Sequence, residues 1–250
     1  MNQAGYIEEK TETVRKSVSR LNANKKREPI LANYSLEKPA PLDIKWICKS
    51  VETAESGIEV LADGRLRCWI RHEIVRGVTP KMLVWWFKNL EGDVKIEGKT
   101  YNRYRAWHPR DHLFARYARR NADGSIGVGS QIHLAEMFGA NPKYLVDTVT
   151  DIIKLDEEGY IHRPRIHGLR LAEMEYSFEE RENGTLYCNS LTIGGRGVLG
   201  KIINPLIRKF VFDRQRGEAW IKHNVEEVGN FEFFLPDLYY SQNRAKEVSF

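Results

Sequence analysis

The hydrophobic and polar positions divide the chain into a polar helix, a long alternating region and a helical end. Residues 7–24 have a helical period but are charged on most sides, and a Lys-Lys-Arg-Glu-Pro run at residues 25–29 ends that pattern. Residues 36–43 contain prolines and are typical of a surface linker. We therefore predict a small N-terminal helical extension and linker over residues 1–50 and one main domain over residues 51–250.

The main domain begins with strands and one short helix. Residues 57–64 predict a strand that ends in an Asp-Gly turn, and residues 66–75 alternate as a strand or hairpin. Thr79 and Pro80 suit the N-cap and first position of a helix over residues 81–90. Period-two alternation between residues 101 and 193 predicts an antiparallel meander, with strands over residues 126–138, 146–155, 166–179 and 185–193.

The end of the chain becomes helical after the Gly-Gly-Arg-Gly sequence at residues 194–197. Apolar spacing predicts one long helix from about residue 202 to residue 228. A strand, a short helix, several antiparallel strands and a long closing helix are the order of the α+β helix-grip fold (Bet v 1-like or START-like). In that fold a long C-terminal helix lies across a curved antiparallel sheet, and the cavity between them suits a small molecule.

Composition limits the class of protein. With 42% apolar and 11% aromatic residues, the 250-residue chain can bury a full core. Its three cysteines, Cys48, Cys68 and Cys188, form no Cys-x-x-Cys pair, which argues against a disulfide framework and a thiolate zinc finger.

Charge and hydropathy limit the partners and the location. The net charge of +5 is mixed with acidic residues along the chain, so we expect no nucleic-acid partner. A signal-peptide pattern and an apolar run of about 18 residues are both absent from the sequence, so we expect a cytoplasmic protein without a membrane partner.

The candidate chemistry starts in the closing helix. His223 and Glu227 are four residues apart and therefore share one helix face, which makes them half of a metal site. His108 stands before Pro109, at the end of an aromatic-rich segment that we interpret as a strand. Glu136 lies in an otherwise apolar strand, where a carboxylate needs a partner or a metal.

These four residues form a consistent ligand set. His133 faces the opposite side of its strand from Glu136, so we choose Glu136 for the cavity. His108, Glu136, His223 and Glu227 offer two imidazoles and two carboxylates, which suit Zn2+, with manganese or iron as alternatives. An open coordination position would hold water.

Four sequence segments together resemble the 2,4-diacetylphloroglucinol hydrolase and phloretin hydrolase family, over roughly residues 65 to 240. They are Trp107-His-Pro-Arg-Asp-His112, Ile132-His-Leu-Ala-Glu136, His167-Gly-Leu, and the Gly-Glu-Ala-Trp-Ile-Lys-His-Asn-Val-Glu-Glu-Val-Gly run at residues 217–229. The resemblance implies a zinc-dependent enzyme of helix-grip fold, often a homodimer, that hydrolyses the carbon–carbon bond between a polyphenol ring and an acyl group.

The resemblance also implies roles for individual residues. His108, Glu136, His223 and Glu227 take the positions of the metal ligands, and His167 takes that of a histidine implicated in proton transfer. Tyr104 and Tyr187 are candidates for holding the phenolic hydroxyls of the substrate. Asp111 stands where the family carries an amide, so we expect it to contact the substrate and alter specificity.

The expected reaction is hydrolysis of an acylphloroglucinol or phloretin-type aryl ketone to a polyphenol and a carboxylic acid. Zinc would lower the pKa of a water for attack on the ketone carbon, and His167 would manage the proton that the ring carbon gains. Two alternatives remain open at this point. One is a non-catalytic protein of the same fold that binds hydrophobic ligands or resembles polyketide cyclases, and the other is an interaction module that uses the N-terminal helix.

Overall fold

The computed structural model describes residues 42–166 and 168–247, with side chains described up to residue 242. The predicted helix over residues 7–24 and the predicted proton-transfer residue His167 lie outside these ranges. Within them, no helix has the length and apolar character needed to cross a membrane.

The described chain contains a large antiparallel sheet. Its strands are β1 (Glu55–Val60), β2 (Leu66–Arg71), β3 (Val75–Arg76), β6 (His112–Arg119), β7 (Gln131–Met137), β8 (Leu145–Asp156), β9 (Gly159–Pro164), β10 (Ala172–Arg181) and β11 (Gly184–Ile193), while β4 (Asp93–Ile96) and β5 (Lys99–Asn102) form a separate hairpin. The order in the large sheet is β1-β2-β11-β10-β9-β8-β7-β6, and β3 pairs with β11. The predicted meander is therefore confirmed, with β6 and β9 as strands that the sequence pattern missed.

Four α-helices accompany the sheet in the described residues: α1 (Pro80–Phe87), α2 (Arg103–Trp107), α3 (Gly197–Phe210) and α4 (Arg214–Glu247). Thr79 caps α1 as predicted, because its Oγ1 accepts a hydrogen bond from the backbone N–H of Met82 at 3.3 Å. The prediction of one continuous helix from about residue 202 to residue 228 is wrong, because α3 ends at Phe210 and the long helix α4 begins at Arg214 and continues to Glu247. Asp213 Oδ1 accepts from the N–H of Arg216 at 2.8 Å, and this cap starts α4 as a separate helix.

Helix α4 packs along the sheet and closes the fold. Its buried apolar side chains include Trp220, Val225, Phe231 and Leu235. Near its start, Gly217 lets the helix approach β1 and β2 closely, because a Cβ there would lie 2.9 Å from Ile58 Cδ1 and 3.1 Å from Cys68 Sγ. A curved antiparallel sheet closed by a long C-terminal helix is the predicted helix-grip architecture, which is confirmed.

We expect Gly217→Val to lower the free energy of unfolding by about 1–3 kcal/mol, because the added methyl groups overpack the contact between α4 and the sheet. Urea unfolding measures this change. Glu218→Ala, at the neighbouring exposed position, is the control and should stay within about 0.5 kcal/mol of the parent protein. Equal effects of the two substitutions would contradict close packing at Gly217.

Residues 42–50 pack against α4 and the start of the sheet region. Trp46 Nε1 donates to the carbonyl oxygen of Ala106 at 2.7 Å, and its ring stacks on Phe233 with centroids 5.3 Å apart. Lys49 Nζ lies 2.6 Å from Glu232 Oε1. This part of the predicted linker is therefore fixed to the main domain, and the extension before residue 42 stays a prediction.

Candidate metal centre

The register between β6 and β7 brings the first two site residues together. His112 is directly opposite Glu136 in this antiparallel pair. Side chains of directly opposed residues lie on the same face of a sheet, about 5 Å apart at Cβ. The first residue of β6 and the carboxylate of β7 therefore point to the same side, toward α4.

Helix α4 supplies the other two residues from across the interior. His223 and Glu227 lie one turn apart and both face the sheet, where they are buried. Glu227 Oε2 is 3.3 Å from His112 Nε2 and 3.6 Å from His223 Nε2. Glu136 Oε2 is 3.6 Å from each of the same two nitrogens. Two imidazole nitrogens and two carboxylate oxygens thus converge on one point.

The imidazole of His112 is oriented so that its Nε2 faces this point. Its Nδ1 donates to the carbonyl oxygen of Tyr104 at 2.8 Å, which leaves the lone pair on Nε2. The Tyr104 ring stacks on the imidazole, with centroids 4.0 Å apart. Nε2 is buried and has no hydrogen-bond partner among the described residues. A buried acceptor of this kind favours a bound group that supplies a partner, and a metal ion is one such group.

His108, which the sequence predicts as a ligand, lies beside this cluster rather than in it. The segment before it is the short helix α2 and not a strand, so the strand prediction is wrong there. His108 Nδ1 accepts from the N–H of Asp111 at 3.3 Å, and its Nε2 lies 3.1 Å from Glu226 Oε2. Both ring nitrogens are occupied. The geometry therefore groups His112 with Glu136, His223 and Glu227, although His112 was not among the ligands predicted from the sequence.

Burial and charge set the protonation of the cluster. Burial lowers the pKa of His112 well below its usual value, and the neighbouring histidines His223 and His108 lower it further. Burial raises the pKa of Glu227 to about 8, with a further contribution from Glu136. Burial opposes charge on His223, but Glu227, Asp111 and Glu136 outweigh it and raise the pKa of His223. In the absence of a metal ion, the cluster therefore keeps protons on His223 and Glu227.

The three predicted substrate contacts have different surroundings. The hydroxyl of Tyr104 donates to Glu136 Oε2 at 3.0 Å, so this tyrosine orients a carboxylate of the cluster. Tyr187 is fully buried, and its hydroxyl has no hydrogen-bond partner among the described residues. Asp111 is also fully buried, and both of its oxygens accept hydrogen bonds from protein groups. Asp111 therefore has no oxygen free to accept a hydrogen bond from the substrate, contrary to its predicted role. The Tyr187 hydroxyl remains free for such a bond.

A buried histidine on the middle of the sheet was missed by the sequence reasoning. This residue is His162 on β9. Its Nδ1 is 2.6 Å from Thr150 Oγ1, and its Nε2 is 3.3 Å from the hydroxyl of Tyr176. Burial lowers the pKa of His162 to about 3, so the ring is neutral near pH 7. Alternation within β9 was the available signal, but this strand was not predicted.

The four convergent atoms fit a divalent metal ion. Two imidazoles and two carboxylates are a donor set that zinc accepts in catalytic sites, and manganese and iron accept it too. The side chain of Glu136 is 16% exposed, compared with 7% for Glu227 and 1% for His223. Access to the cluster is therefore greatest on the side of Glu136, where a coordination position open to water or substrate would lie.

The fold and the cluster define a protein of helix-grip architecture with a candidate metal centre between its closing helix and its sheet. Residues 43–153 match the family model for the DAPG hydrolase PhiG domain, which confirms the resemblance to the diacetylphloroglucinol hydrolase family. The matched region contains His112 and Glu136, while His223 and Glu227 follow it in the chain. A comparison with curated protein sequences gives no significant match.

Several solved structures are similar to the chain at low sequence identity. A protein from Nitrosomonas europaea has 12% identity and a TM-score of 0.42, with 69% of this chain and 97% of that chain covered. A START superfamily protein from Mycobacterium smegmatis has 13% identity and a TM-score of 0.38, with 65% and 97% covered. A polyketide cyclase-like protein from Corynebacterium glutamicum has 15% identity and a TM-score of 0.33, with 68% and 93% covered.

Proposed function

We propose that the protein is a metal-dependent hydrolase that cleaves the carbon–carbon bond between a polyhydroxylated aromatic ring and its acyl group. The observation that carries this proposal is the convergence of His112, Glu136, His223 and Glu227 in a fold that also matches the DAPG hydrolase domain. An acylphloroglucinol is the substrate class that the matched family indicates. The products would be a polyphenol and a carboxylic acid.

Zinc is the metal that we propose for this cluster. When bound, it would polarise a carbonyl oxygen and lower the pKa of a water molecule toward 7. The residues around it have supporting tasks: Tyr104 fixes Glu136 through its hydroxyl, and its ring holds His112 by stacking. Trp107 Nε1 donates to the carbonyl oxygen of Glu227 at 2.7 Å, which holds this turn of α4 in place.

A group of core aromatic side chains lies beside the four cluster residues and suits contact with a phenolic ring. Tyr176 lies between Tyr160 and Tyr187, with ring centroids 5.2 and 5.8 Å away. Phe87 stacks on Tyr160 with centroids 4.6 Å apart. In this proposal the ring of the substrate contacts these side chains, and one of its hydroxyls bonds to the unpaired hydroxyl of Tyr187. Buried polar atoms without partners favour ligands that supply one.

Protonation of the ring carbon is the step that completes the cleavage. The bond can break because hydroxyls ortho and para to the acyl group let the ring accept a proton and form its keto tautomer. The family resemblance implies that His167 manages this proton, and that role stays a proposal. His162, with its Nε2 3.3 Å from the Tyr176 hydroxyl, is neutral near pH 7 and is therefore a proton acceptor rather than the donor that this step needs.

We expect Tyr187→Phe to raise the free energy of unfolding by about 1 kcal/mol, because it removes a buried hydroxyl without a partner in the described residues. If that hydroxyl binds the substrate, the same change also raises KM. Chemical unfolding and steady-state kinetics measure the two effects. Tyr117→Phe is the control, since the Tyr117 hydroxyl donates to Phe87 O and accepts from Leu90 N, and its loss should be destabilising. A destabilised Tyr187→Phe variant would contradict this assignment.

A substrate panel with identified products tests the proposed reaction. The zinc-loaded protein is incubated with diacetylphloroglucinol, phloretin and a monohydroxylated acetophenone, and the acid and the phenol are quantified by mass spectrometry. We expect equal amounts of acid and deacylated ring from a polyhydroxylated ketone and none from the monohydroxylated one. Tight binding of these ketones without any turnover, after zinc, manganese and iron have each been supplied, would overturn the proposal in favour of a ligand-binding protein.

A further inference from the structure

Asp111 occupies a closed site made by three different parts of the fold. Its Oδ2 accepts from His223 Nδ1 at 3.0 Å and from the N–H of Gly139 at 2.7 Å. Its Oδ1 accepts from the N–H of Ala140 at 2.9 Å and from Arg110 Nε at 3.1 Å. The side chain is completely buried, so these donors occupy the whole carboxylate. Asp111 therefore acts on other protein groups.

The backbone that receives Asp111 has an unusual conformation. Gly139 and Ala140 have φ angles of 66° and 54°, in the left-handed region. A left-handed conformation is unfavourable for alanine, but here it helps two successive N–H groups to point at one carboxylate. These residues come soon after Glu136 at the end of β7. Asp111 thereby connects the strand that carries Glu136 with the helix that carries His223.

The hydrogen bond from His223 to Asp111 decides which nitrogen of His223 faces the cluster. Because Nδ1–H donates to the carboxylate, Nε2 is directed at Glu136 and Glu227, 3.6 Å from an oxygen of each. An imidazole that donates to a carboxylate is also a better metal ligand through its other nitrogen. Loss of the carboxylate would leave both the ring orientation and the proton position of His223 undetermined.

A second carboxylate makes the opposite connection. Glu226 lies on α4 next to Glu227, and its Oε2 is 3.1 Å from His108 Nε2 and 2.6 Å from Arg110 Nη2. Asp111, in the segment of residues 108–112, thus binds His223 on α4. Glu226, on α4, binds His108 in that segment. The same segment ends in His112, so its position relative to His223 depends on both connections.

We propose that Asp111 and Glu226 are positioning residues that form a reciprocal clamp between residues 108–112 and α4 and so set the geometry of the metal centre. Asp111 orients His223, and Glu226 holds the segment that places His112. The metal-binding part of this inference rests on the proposed function, whereas the orientation of His223 does not. Neither residue contacts the substrate in this account.

Metal affinity and a spectroscopic signal test the clamp without any substrate. Cobalt binding is measured by chelator competition and by visible absorption in the parent protein, Asp111→Asn, Glu226→Gln and the double variant. We expect Asp111→Asn to weaken cobalt binding about 10- to 100-fold and to change the absorption spectrum, as other losses of a carboxylate behind a ligating histidine do. Glu226→Gln should weaken binding less, and the two effects should not be additive.

The matched control is Glu232→Gln on the same helix, where the carboxylate binds Lys49 and the N–H of Arg76, away from the cluster. It should leave cobalt affinity and absorption unchanged.

The proton on His223 Nδ1 provides a readout in the metal-free protein. Its downfield NMR signal, assigned by its loss in His223→Gln, should move in Asp111→Asn and stay in Glu232→Gln. Failure of all proteins to bind metal would contradict the proposed function, whereas an unmoved His223 signal or unchanged cobalt affinity in Asp111→Asn would overturn the clamp.

Discussion

Replacement of His112 by alanine is expected to abolish metal binding and to reduce hydrolysis by at least about a thousandfold, because a catalytic metal contributes several kcal/mol to transition-state stabilisation. His112 supplies one of the two imidazole nitrogens of the cluster, and that nitrogen has no other partner in the described structure. Removing it leaves His223 as the only imidazole among the described residues that faces Glu136 and Glu227. Metal content by mass spectrometry and initial rates on an acylphloroglucinol measure the two losses.

Two other histidines make this experiment specific. His133→Ala is the control, because His133 lies on β7 but pairs with Asp147 and Arg116 outside the cluster. It should retain metal and activity. His108→Gln should retain one metal ion with weaker affinity, since His108 belongs to the clamp and not to the ligand set. Full metal content in His112→Ala, together with its loss in His108→Gln, would contradict the assignment and restore the ligand set predicted from the sequence.

The metal-free protein is expected to be most stable near pH 6.5 and to lose stability in both directions. Four buried histidines have pKa values that burial lowers, to about 4 for His72 and about 3 for His162, with His108 and His112 shifted the same way. Below pH 6.5 the unfolded chain binds protons at these residues and the native protein does not. Each one therefore removes up to about 1.4 kcal/mol of stability per pH unit as the pH falls.

Above pH 6.5 the stability falls with rising pH instead, because of Glu227 and His223. The pKa of Glu227 is raised to about 8 by burial, and that of His223 is raised by the surrounding carboxylates in spite of burial. The native protein holds protons there that the unfolded chain has released, so stability falls as the pH rises toward 8. Metal binding displaces these protons, and metal affinity should therefore increase over the same range.

Urea unfolding between pH 4.5 and 9, with chelator and with zinc, measures these slopes. Glu227→Gln is the matched variant, because it removes the titrating carboxyl and keeps the shape of the side chain. It should flatten the decline of the metal-free protein above pH 6.5 and steepen the loss of stability between pH 6.5 and 4.5, because Glu227 titrates near 4.5 in the unfolded chain and near 8 in the native protein. A decline above pH 6.5 that is the same in Glu227→Gln would show that another group is responsible.

The sequence was sufficient for the residues whose placement depends on local periodicity. His223 and Glu227 share a helix face because they are four residues apart, and strand alternation correctly separated Glu136 from His133. The fold class followed from the order of elements, since a long helix after an antiparallel meander has few ways to pack other than across the sheet. These features need no knowledge of distant contacts.

The choice between His108 and His112 required information that the sequence pattern does not contain. Pro109 was interpreted as the end of a strand, but the chain turns after α2 and a new strand begins at His112. The register that sets His112 opposite Glu136 is fixed across the connection between β6 and β7, where local periodicity gives no constraint. Local periodicity also gives no information on the hydrogen bonds of Asp111, because its partners come from two distant parts of the chain.

Anomalous X-ray scattering at the zinc absorption edge, from crystals grown with zinc, locates the metal ion relative to its ligands. We expect one strong peak about 2.0–2.2 Å from His112 Nε2, His223 Nε2 and an oxygen of each of Glu136 and Glu227. His108 should remain outside this shell, with its Nε2 bound to Glu226. A peak coordinated by His108, or no peak at the cluster in zinc-saturated crystals, would contradict the account.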